Sequence, residues 1–383
     1  MDAMSHHIVL TRDAALNCLT EVVPRTGHAY AADRNTDAGP EAEATTTALS
    51  PYLRRRLLLE QEVVEAALAA HGPRVAGKFV EEVFWRSYFK GHLESHPSAW
   101  TRFTGAVAGE RDRMAGNSGL RRAYDAAVSG STGIDGFDDW ARELVDKGWL
   151  HNHARMWFAS IWIFTLRLPW VLGADFFLQH LLDGDPASNT LSWRWVAGLH
   201  TRGKAYAARA ENIRRYTAGR FSPTGLNENP VPLEESDPPA AVRLPQGDEL
   251  PSADVALLLH LDDLHPESLV LGKARVVRVG GLLAHAPHAS EQLRQADADA
   301  MADALARAGL WFGCSVGPAV PGWAGDLPVV AAWAPVGPSA DALPPGCLRV
   351  RRLWDEMTWP HAVRGYFQMR TAIPDILHAT SLP

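Results

Sequence analysis

The 383-residue chain has only three cysteines, Cys18, Cys314 and Cys347. They lie far apart and are odd in number, which excludes a disulfide framework and points to a reducing cytoplasm. Three thiolates are also one short of the four that an iron–sulfur cluster needs. Long apolar runs are missing too. The best candidate, Met156 to Leu166, is too short to span a bilayer and runs into Arg167. The N-terminus, MDAMSHHIVLTRD, lacks a cationic start followed by an apolar stretch, so no secretion signal is expected. There is no GxGxxG, no phosphate loop and no internal repeat, and the pair Gly280-Gly281 alone is too little to bind a nucleotide. An excess of basic charge is also absent, since the formal net charge is −7. That charge is unevenly spread: residues 1–221 carry 26 Lys and Arg against 25 Asp and Glu, and residues 222–383 carry 11 against 19. A nucleic-acid partner would therefore need a local basic face in the first part of the chain.

What the chain has in quantity is tryptophan. Seven of its fourteen Trp residues fall between Trp140 and Trp195, around the stretch Gly148–Trp195. Leu fills a helical core without an N–H to satisfy, so packing alone rarely calls for so much indole. The same stretch holds Arg155, the compact Asp183-Gly184-Asp185 and several amides. Aromatic faces beside such polar groups read as the floor of a pocket for a large aromatic cofactor. With 46 % hydrophobic and 21 % charged residues, the chain is a packed globular protein.

Residues 1–24 read as a short helical lead, and His28–Leu53 as a loop broken by Asn35, Gly39 and Pro40. Thr45, Thr46, Thr47 and Ser50 precede an apolar run. Two readings stand: they cap a helix, or they bind phosphate at its free N–H groups. Leu57–Ala70 is an amphipathic helix stopped by Gly72-Pro73, and Val75–His96 follows as another. On that second helix Glu82, Trp85 and Arg86 are neighbours at spacings of three and four. They face a ligand or form a solvated edge around one buried indole. Residues 97–131 are poorly patterned, with helices joined by loops. Asp138–Lys147, Trp149–Leu168, Gly173–Leu182 and Ala187–His200 are helices, so every firm element of this half is helical. Pro and acidic residues then crowd 222–251, an extended linker. Beyond it Val255–Leu259, Ala274–Val279 and Val329–Trp333 read as short buried strands, Ser290–Ala308 as a helix and Val363–Leu377 as a final helix. The expected class is thus α plus α/β: a large helical domain over 1–221, the linker, and a small α/β domain over 252–383.

Four blocks resemble the FAD-binding helical domain of DNA photolyases and cryptochromes, in the same order. They are Tyr30–Tyr52 (YAADRNTDAGP, then TTALSPYL), Glu81–Phe89 (EEVFWRSYF), Thr132–Met156 (TGIDGFDDWARELVDKGWLHNHARM) and Leu168–Gly198 (LPWVLGADFFLQHLLDGDPASNTLSWRWVAG). Together they cover about residues 14–221. The resemblance implies a bent FAD, with Tyr30, Thr46, Thr47 and Ser50 near its pyrophosphate and Arg86 also in the cofactor site. It implies Asn152, Arg155, Asp183, Asp185 and Asn189 around the flavin. An Arg155–Asp183 ion pair stabilises charge near the ring, and the Asn189 amide can accept from or donate to flavin N5. The flavin does the redox chemistry, and the protein positions and tunes it. Light-driven enzymes of this family pass an electron from reduced flavin to a pyrimidine dimer flipped out of DNA. The positions implied to surround that dimer are Glu82, Trp85, Asn152, Met156 and Trp195. Glu82 is the implied catalytic hydrogen-bonding group, and Trp170 and Trp193 match the first two members of an electron-carrying indole chain.

The chain also departs from the family. The third indole position falls near Asn117, with Trp100, Trp140, Trp157 and Trp162 as substitutes. Phe79 stands for a frequent Trp, Arg54-Arg55-Arg56 replaces a His/Phe/Gly-like segment, and His153 stands where an Arg often contacts DNA. His151 and His153 are not expected to bind a metal, because alternate residues on a helix face apart. Family members normally begin with an α/β antenna domain. Here an α/β segment comes last, and it reads as too short for the usual five-stranded sheet plus helices. Three functions are open: light-driven repair of pyrimidine dimers in DNA, a blue-light receptor with a protein partner on 252–383, and a flavin enzyme acting on a small molecule. No membrane association is expected.

Overall fold

The computed structural model describes residues 8–39 and 45–380. The chain forms two compact units. One combines Met1–Gly27, Ala48–Ser95 and Val242–Pro383, and the other His28–Thr47 and His96–Ala241. The contacts therefore group the chain differently from the sequential division at 221 and 252. Each half of the expected linker is tied down within one unit. Leu233 N–H donates to Ala197 O at 2.9 Å and Arg194 pairs with Glu235 at 2.6 Å, while Val242 N–H donates to Ser95 O at 2.7 Å.

The first unit is built on a parallel sheet of five strands: β1 Asp254–His260, β2 Arg275–Leu282, β3 Ser315–Pro318, β4 Val329–Ala332 and β5 Leu348–Val350. Their order is β3-β2-β1-β4-β5. Central β1 is buried from Val255 to His260, and a run that is apolar on both faces is what a covered parallel strand requires. The three expected strands are β1, β2 and β4. The expectation that the segment is too short for five strands is overturned, because the two further strands are edge strands of only four and three residues. SVGP and LRV are too short to show a period, and short edges also resist further pairing. The helix Glu291–Phe312 links β2 to β3. Ser290 caps it by accepting from Leu293 N–H at 3.1 Å, and it runs past the expected end at Gly309 to Phe312.

In the same unit the segment Glu60–Ser95 is helical on both sides of Gly72, which breaks it at φ 71 and ψ 164 beside Pro73. A buried ionic cluster joins the start of this segment to the carboxyl end of β1. Arg54 pairs with Asp262 at 2.7 Å and Arg55 with Asp297 at 2.5 Å. Arg56 meets Asp355 at 2.5 Å and Glu60 and Asp263 at 3.3 Å each. Arg352 holds Asp263 at 2.6 Å. The arginines beside it hold the Asp263 carboxyl well below its usual range despite complete burial.

The second unit is helical: Ser98–Ala115, Ser118–Val128, Phe137–Lys147, Asn152–Ser160, Trp170–His180, Pro186–Val196 and Ala210–Tyr216. Two of these lie in the poorly patterned 97–131. Asn117, at the expected third indole position, caps Ser118–Val128 by accepting from Leu120 N–H at 3.0 Å. The expected helix Trp149–Leu168 starts later and ends in a π-helical turn at Ile161–Thr165, where Leu166 N–H donates to Ile161 O at 2.9 Å. One extra residue in that turn shifts the register of the side chains beyond it. The expected loop His28–Leu53 contains a short helix, His28–Asp33, and closes on another, Ser50–Arg54. The parts of the lead and of this loop at 1–7 and 40–44 lie outside the described residues. Trp140, Trp157, Trp162, Phe137, Phe158 and Phe177 are fully buried and form the core, each contributing about 1.5–3 kcal/mol by leaving water.

Candidate functional site

The polar residues of the Trp-rich stretch come together through one backbone approach. Gly148 ends Phe137–Lys147 in the left-handed conformation, φ 65. Its missing side chain lets residues 180–182 draw close, since a Cβ there would sit 2.8 Å from Leu182 Cγ and 3.1 Å from His180 O. Leu182 N–H donates to Gly148 O at 2.8 Å. The strand-like piece 149–151 thereby runs beside Asp183. Leu150 O accepts from Arg155 Nε at 2.9 Å, which aims the guanidinium, and Arg155 Nη2 donates to Asp183 Oδ2 at 2.8 Å. The Arg155–Asp183 pair expected from the sequence is therefore formed.

Its second oxygen is the informative atom. Among the described residues, Asp183 Oδ1 is buried and has no hydrogen-bond partner. A buried carboxylate oxygen left without a donor costs on the order of 1–3 kcal/mol, so an orphan of this kind is a candidate position for a donor from a ligand or a water. Thr190 Oγ1 is a second buried atom without a partner. Between them, Asp185 caps the helix Pro186–Val196 by accepting from Ser188 N–H at 2.8 Å. Asn189 Nδ2 donates to Ala174 O at 2.8 Å, which pins this helix to Trp170–His180 and leaves its amide oxygen as an acceptor. Of the other expected flavin residues in this unit, Asn152 is exposed at the start of its helix, Tyr30 lies on the helix His28–Asp33, and Thr46 and Thr47 are half-buried. The remaining two, Ser50 and Arg86, belong to the first unit. Ser50 opens its short helix, which has no side-chain cap, so the hydroxyl cluster does not serve as one. Arg86 donates to Arg54 O at 3.1 Å and lies 3.6 Å from Glu60, at the margin of the ionic cluster.

The indoles of the second unit lie in several separate groups, Trp140 stacking on Trp157 at 5.5 Å in one of them. Trp193 is buried among Phe177, Phe158 and Trp162, with ring centroids at 5.1, 6.4 and 6.3 Å. It fits there because Gly173 offers no Cβ: one would overlap the far edge of the Trp193 ring. Trp162 in turn meets Tyr124 edge-on at 5.9 Å. Trp170 stacks on Phe103 at 5.7 Å, and Phe103 meets Trp100 at 5.5 Å. Trp195 is half-buried against Tyr206 at 5.5 Å, and Met156 is half-buried.

His151 precedes its helix and caps it, its ring accepting from His153 N–H at 3.1 Å. His153 stacks on Trp157 at 4.8 Å and its Nδ1 meets Asn35 O at 2.7 Å. Burial pushes His151 down to about 4 and lowers His153, so both are neutral near pH 7.

Glu82 and Trp85 lie on the helical segment of the first unit. One face of Trp85 is covered: Tyr366 stacks on it with centroids 3.5 Å apart and planes 10° off parallel. Tyr88 and Phe89 meet the same indole at 5.5 and 5.6 Å. Sequence reasoning missed Tyr366, and it missed the acidic partners of Arg54-Arg55-Arg56. The second had a signal, an acidic pair directly after the apolar VALLLHL, opposite in sign to three consecutive arginines. Tyr366 had none, because stacking on a residue 281 positions away leaves no local pattern.

Residues 79–224 match the FAD binding domain of DNA photolyase. A deoxyribodipyrimidine photo-lyase of Streptomyces griseus is 34 % identical over 183 residues, covering 44 % of this chain and 38 % of the relative. One of Synechococcus is 27 % identical over 259 residues, covering 57 % of this chain and 50 % of the relative. A bacterial class III photolyase from Agrobacterium tumefaciens is similar in structure with a TM-score of 0.45 and 25 % identity, over 54 % of this chain and 43 % of that one. The chain spans between a third and a half of the length of the curated relatives it matches first. Residues 79–224 are thus similar to the FAD binding domain of DNA photolyase.

Proposed function

We propose that this protein carries out light-driven one-electron transfer at an FAD held in the second unit, with a pyrimidine dimer in DNA as the electron acceptor. The observation that carries the reading is the buried Arg155–Asp183 pair with its orphaned oxygen. Bound FAD supplies the absorption of visible light and the one-electron chemistry. Asp183 Oδ1 would be the acceptor for a flavin donor, and the Arg155 guanidinium beside it would offset negative charge on the flavin. Little water competes at this site, so the pair acts more strongly than it would in solution. The Asn189 amide, fixed by Ala174, presents an acceptor to a ring N–H. The aromatic packing around Trp193 excludes water from the same region. Tyr30, Thr46, Thr47, Asp185 and Asn152 complete the cofactor set proposed for this unit.

A DNA partner is supported by charge. Arg202, Lys204, Arg209, Arg214 and Arg215 are all exposed along one short segment. Tyr206 in that segment donates its N–H to Val196 O at 3.0 Å, which ties it to the end of the helix bearing Trp195. Such a group attracts phosphates locally although the chain as a whole is acidic. Trp195 and Met156 then meet the base, and Glu82 and Trp85 are the remaining proposed substrate residues. Trp170 and Trp193 are the proposed electron carriers.

One observation favours a second reading. Trp85 is stacked on Tyr366, as it would be in a light receptor that never takes a base there. Illuminating the reduced protein with a thymine-dimer oligonucleotide tests the proposal. Light-dependent loss of the dimer is expected. A protein that binds FAD and bleaches in light yet leaves the dimer intact is a receptor or acts on another molecule.

A further inference from the structure

The helix Tyr366–Thr380 lies along the segment Glu60–Ser95 within the first unit. Its buried positions, Met369, Ala372, Ile376 and Thr380, recur at three and four residues and make one continuous stripe. The far end is fastened where Gln61 Nε2 donates to Thr380 O at 2.6 Å. At the near end Tyr366 Oη donates to Glu81 O at 2.7 Å, and Arg370 Nε meets Glu81 Oε1 at 2.9 Å, a pair whose arginine is half in water. The Tyr366 ring then lies flat on Trp85. Tyr88 meets Tyr366 edge-on at 5.6 Å, which fixes the plane of the phenol.

This arrangement is not what apolar burial alone would choose. Phe367, the more apolar neighbour, is left 75 % exposed, while the tyrosine is the ring placed on the indole. A single six-membered ring at 3.5 Å, held parallel to an indole and tethered by one polar atom, has the dimensions and the contact of a pyrimidine stacked on tryptophan. The stripe anchors the helix from Met369 onward, whereas Tyr366 is held by its stack on Trp85, the edge of Tyr88, one hydrogen bond and a partly hydrated ion pair.

We propose that Tyr366 is a built-in occupant of a base-stacking face on Trp85, which an unstacked pyrimidine of a nucleic-acid strand must displace in order to bind there. This rests on the proposed function in one respect, the reading of Trp85 as a residue that meets DNA bases. Tyr366 thus sets specificity: a stacked duplex offers no free ring to compete, and an extruded base does.

The test measures affinity for a labelled single-stranded oligothymidine and for a thymine-dimer duplex. Tyr366→Ala is expected to tighten binding of both about five- to tenfold, the size of one aromatic stack no longer competed for. Tyr366→Phe keeps the ring and is expected to match the unaltered protein. Adding Trp85→Ala to Tyr366→Ala is expected to abolish the gain. No gain in Tyr366→Ala, or a gain that survives loss of Trp85, overturns the proposal. A second measurement needs no variant. Saturating oligothymidine is expected to speed tryptic cleavage after Arg370 of the unaltered protein severalfold by freeing the first helical turn, and unchanged cleavage overturns the proposal as well. The flavin reading is judged separately, from FAD content and photobleaching of the same preparations. Tyr366→Ala is expected to leave both unchanged, so either reading can fall without the other.

Discussion

Asp183 and Trp85 carry the same family resemblance, yet their surroundings have treated them differently. Asp183 spends one oxygen on Arg155 and keeps the other buried without a donor. Trp85 has its open face filled by Tyr366. The helical unit therefore keeps a buried acceptor beside an arginine at Asp183. In the sheet-bearing unit three consecutive arginines are matched by Asp262, Asp263, Asp297, Asp355 and Glu60, although Asp355 Oδ2 is also buried without a partner among the described residues. A motif supplies residue types, and what neighbouring elements consume decides whether those residues are left to bind anything.

That contrast is open to direct attack, and its largest expected effect lies in the ionic cluster. Arg56→Ala leaves Glu60, Asp263 and Asp355 buried without their shared cation, at a cost of about 3–5 kcal/mol. Urea unfolding reads this, and a loss under about 1 kcal/mol would mean that the cluster is not what holds the strand end in place.

Next in size, Asp183→Ala is expected to yield a colourless protein with an unfolding midpoint much closer to the unaltered one. Arg155 is about a fifth exposed and regains water when its partner is lost. Full FAD content in that variant would refute the proposed site. Full loss of both FAD and fold would mean that the pair is structural.

The pH dependence of stability offers a further test in both units, since burial raises Glu143 of the helical unit to about 7 as it does Glu94 of the other. Burial raises Glu94 to about 7 against the donors Val336 N–H and Trp333 Nε1–H. The folded chain keeps this proton between about pH 4.5 and pH 7, where the unfolded chain has released it. Stability from this group therefore falls as pH rises through that window, on the order of 3 kcal/mol in all. In the helical unit, burial pushes His151 and His200 down to about 4. These act the other way, because the unfolded chain takes up their protons first, so stability is lost as pH falls from about 6.5 toward 4. Glu94→Gln should flatten the neutral limb of the stability curve and leave the acid limb unchanged, and an unchanged neutral limb would assign that slope elsewhere.

The smallest effect concerns the basic segment. Replacing Arg214 and Arg215 together by Ala should lower the slope of log affinity against log salt for single-stranded DNA by about 1.4, at about 0.7 per lost phosphate contact. FAD content should not move. An unaltered slope would remove these two residues from any DNA-facing surface.

Much of the helical unit was legible in the chain. Gly148 marked a helix end, Asp183-Gly184-Asp185 marked a turn, and the resemblance paired Arg155 with Asp183, because each of these signals is local or nearly so. The sheet was half legible. A central strand such as Val255–His260 announces itself by continuous apolarity, whereas Ser315–Pro318 and Leu348–Val350 become strands only because β2 and β4 offer them partners. The π-helical turn at Ile161–Thr165 was hidden for a related reason, since one inserted residue alters the turn without altering the apolar pattern.

By itself, then, the sequence determined the class of fold, the likeness to an FAD-binding domain and the residue types of the proposed site, all properties carried by short-range pattern and ordered motifs. The tertiary structure alone decided which of those residues remain available. It gave Asp183 a buried oxygen with no donor, gave Arg56 three carboxylates and set Tyr366 on Trp85. Each of these depends on side chains meeting across separations of 28 to nearly 300 residues, and such meetings follow from packing and desolvation, which leave no local trace.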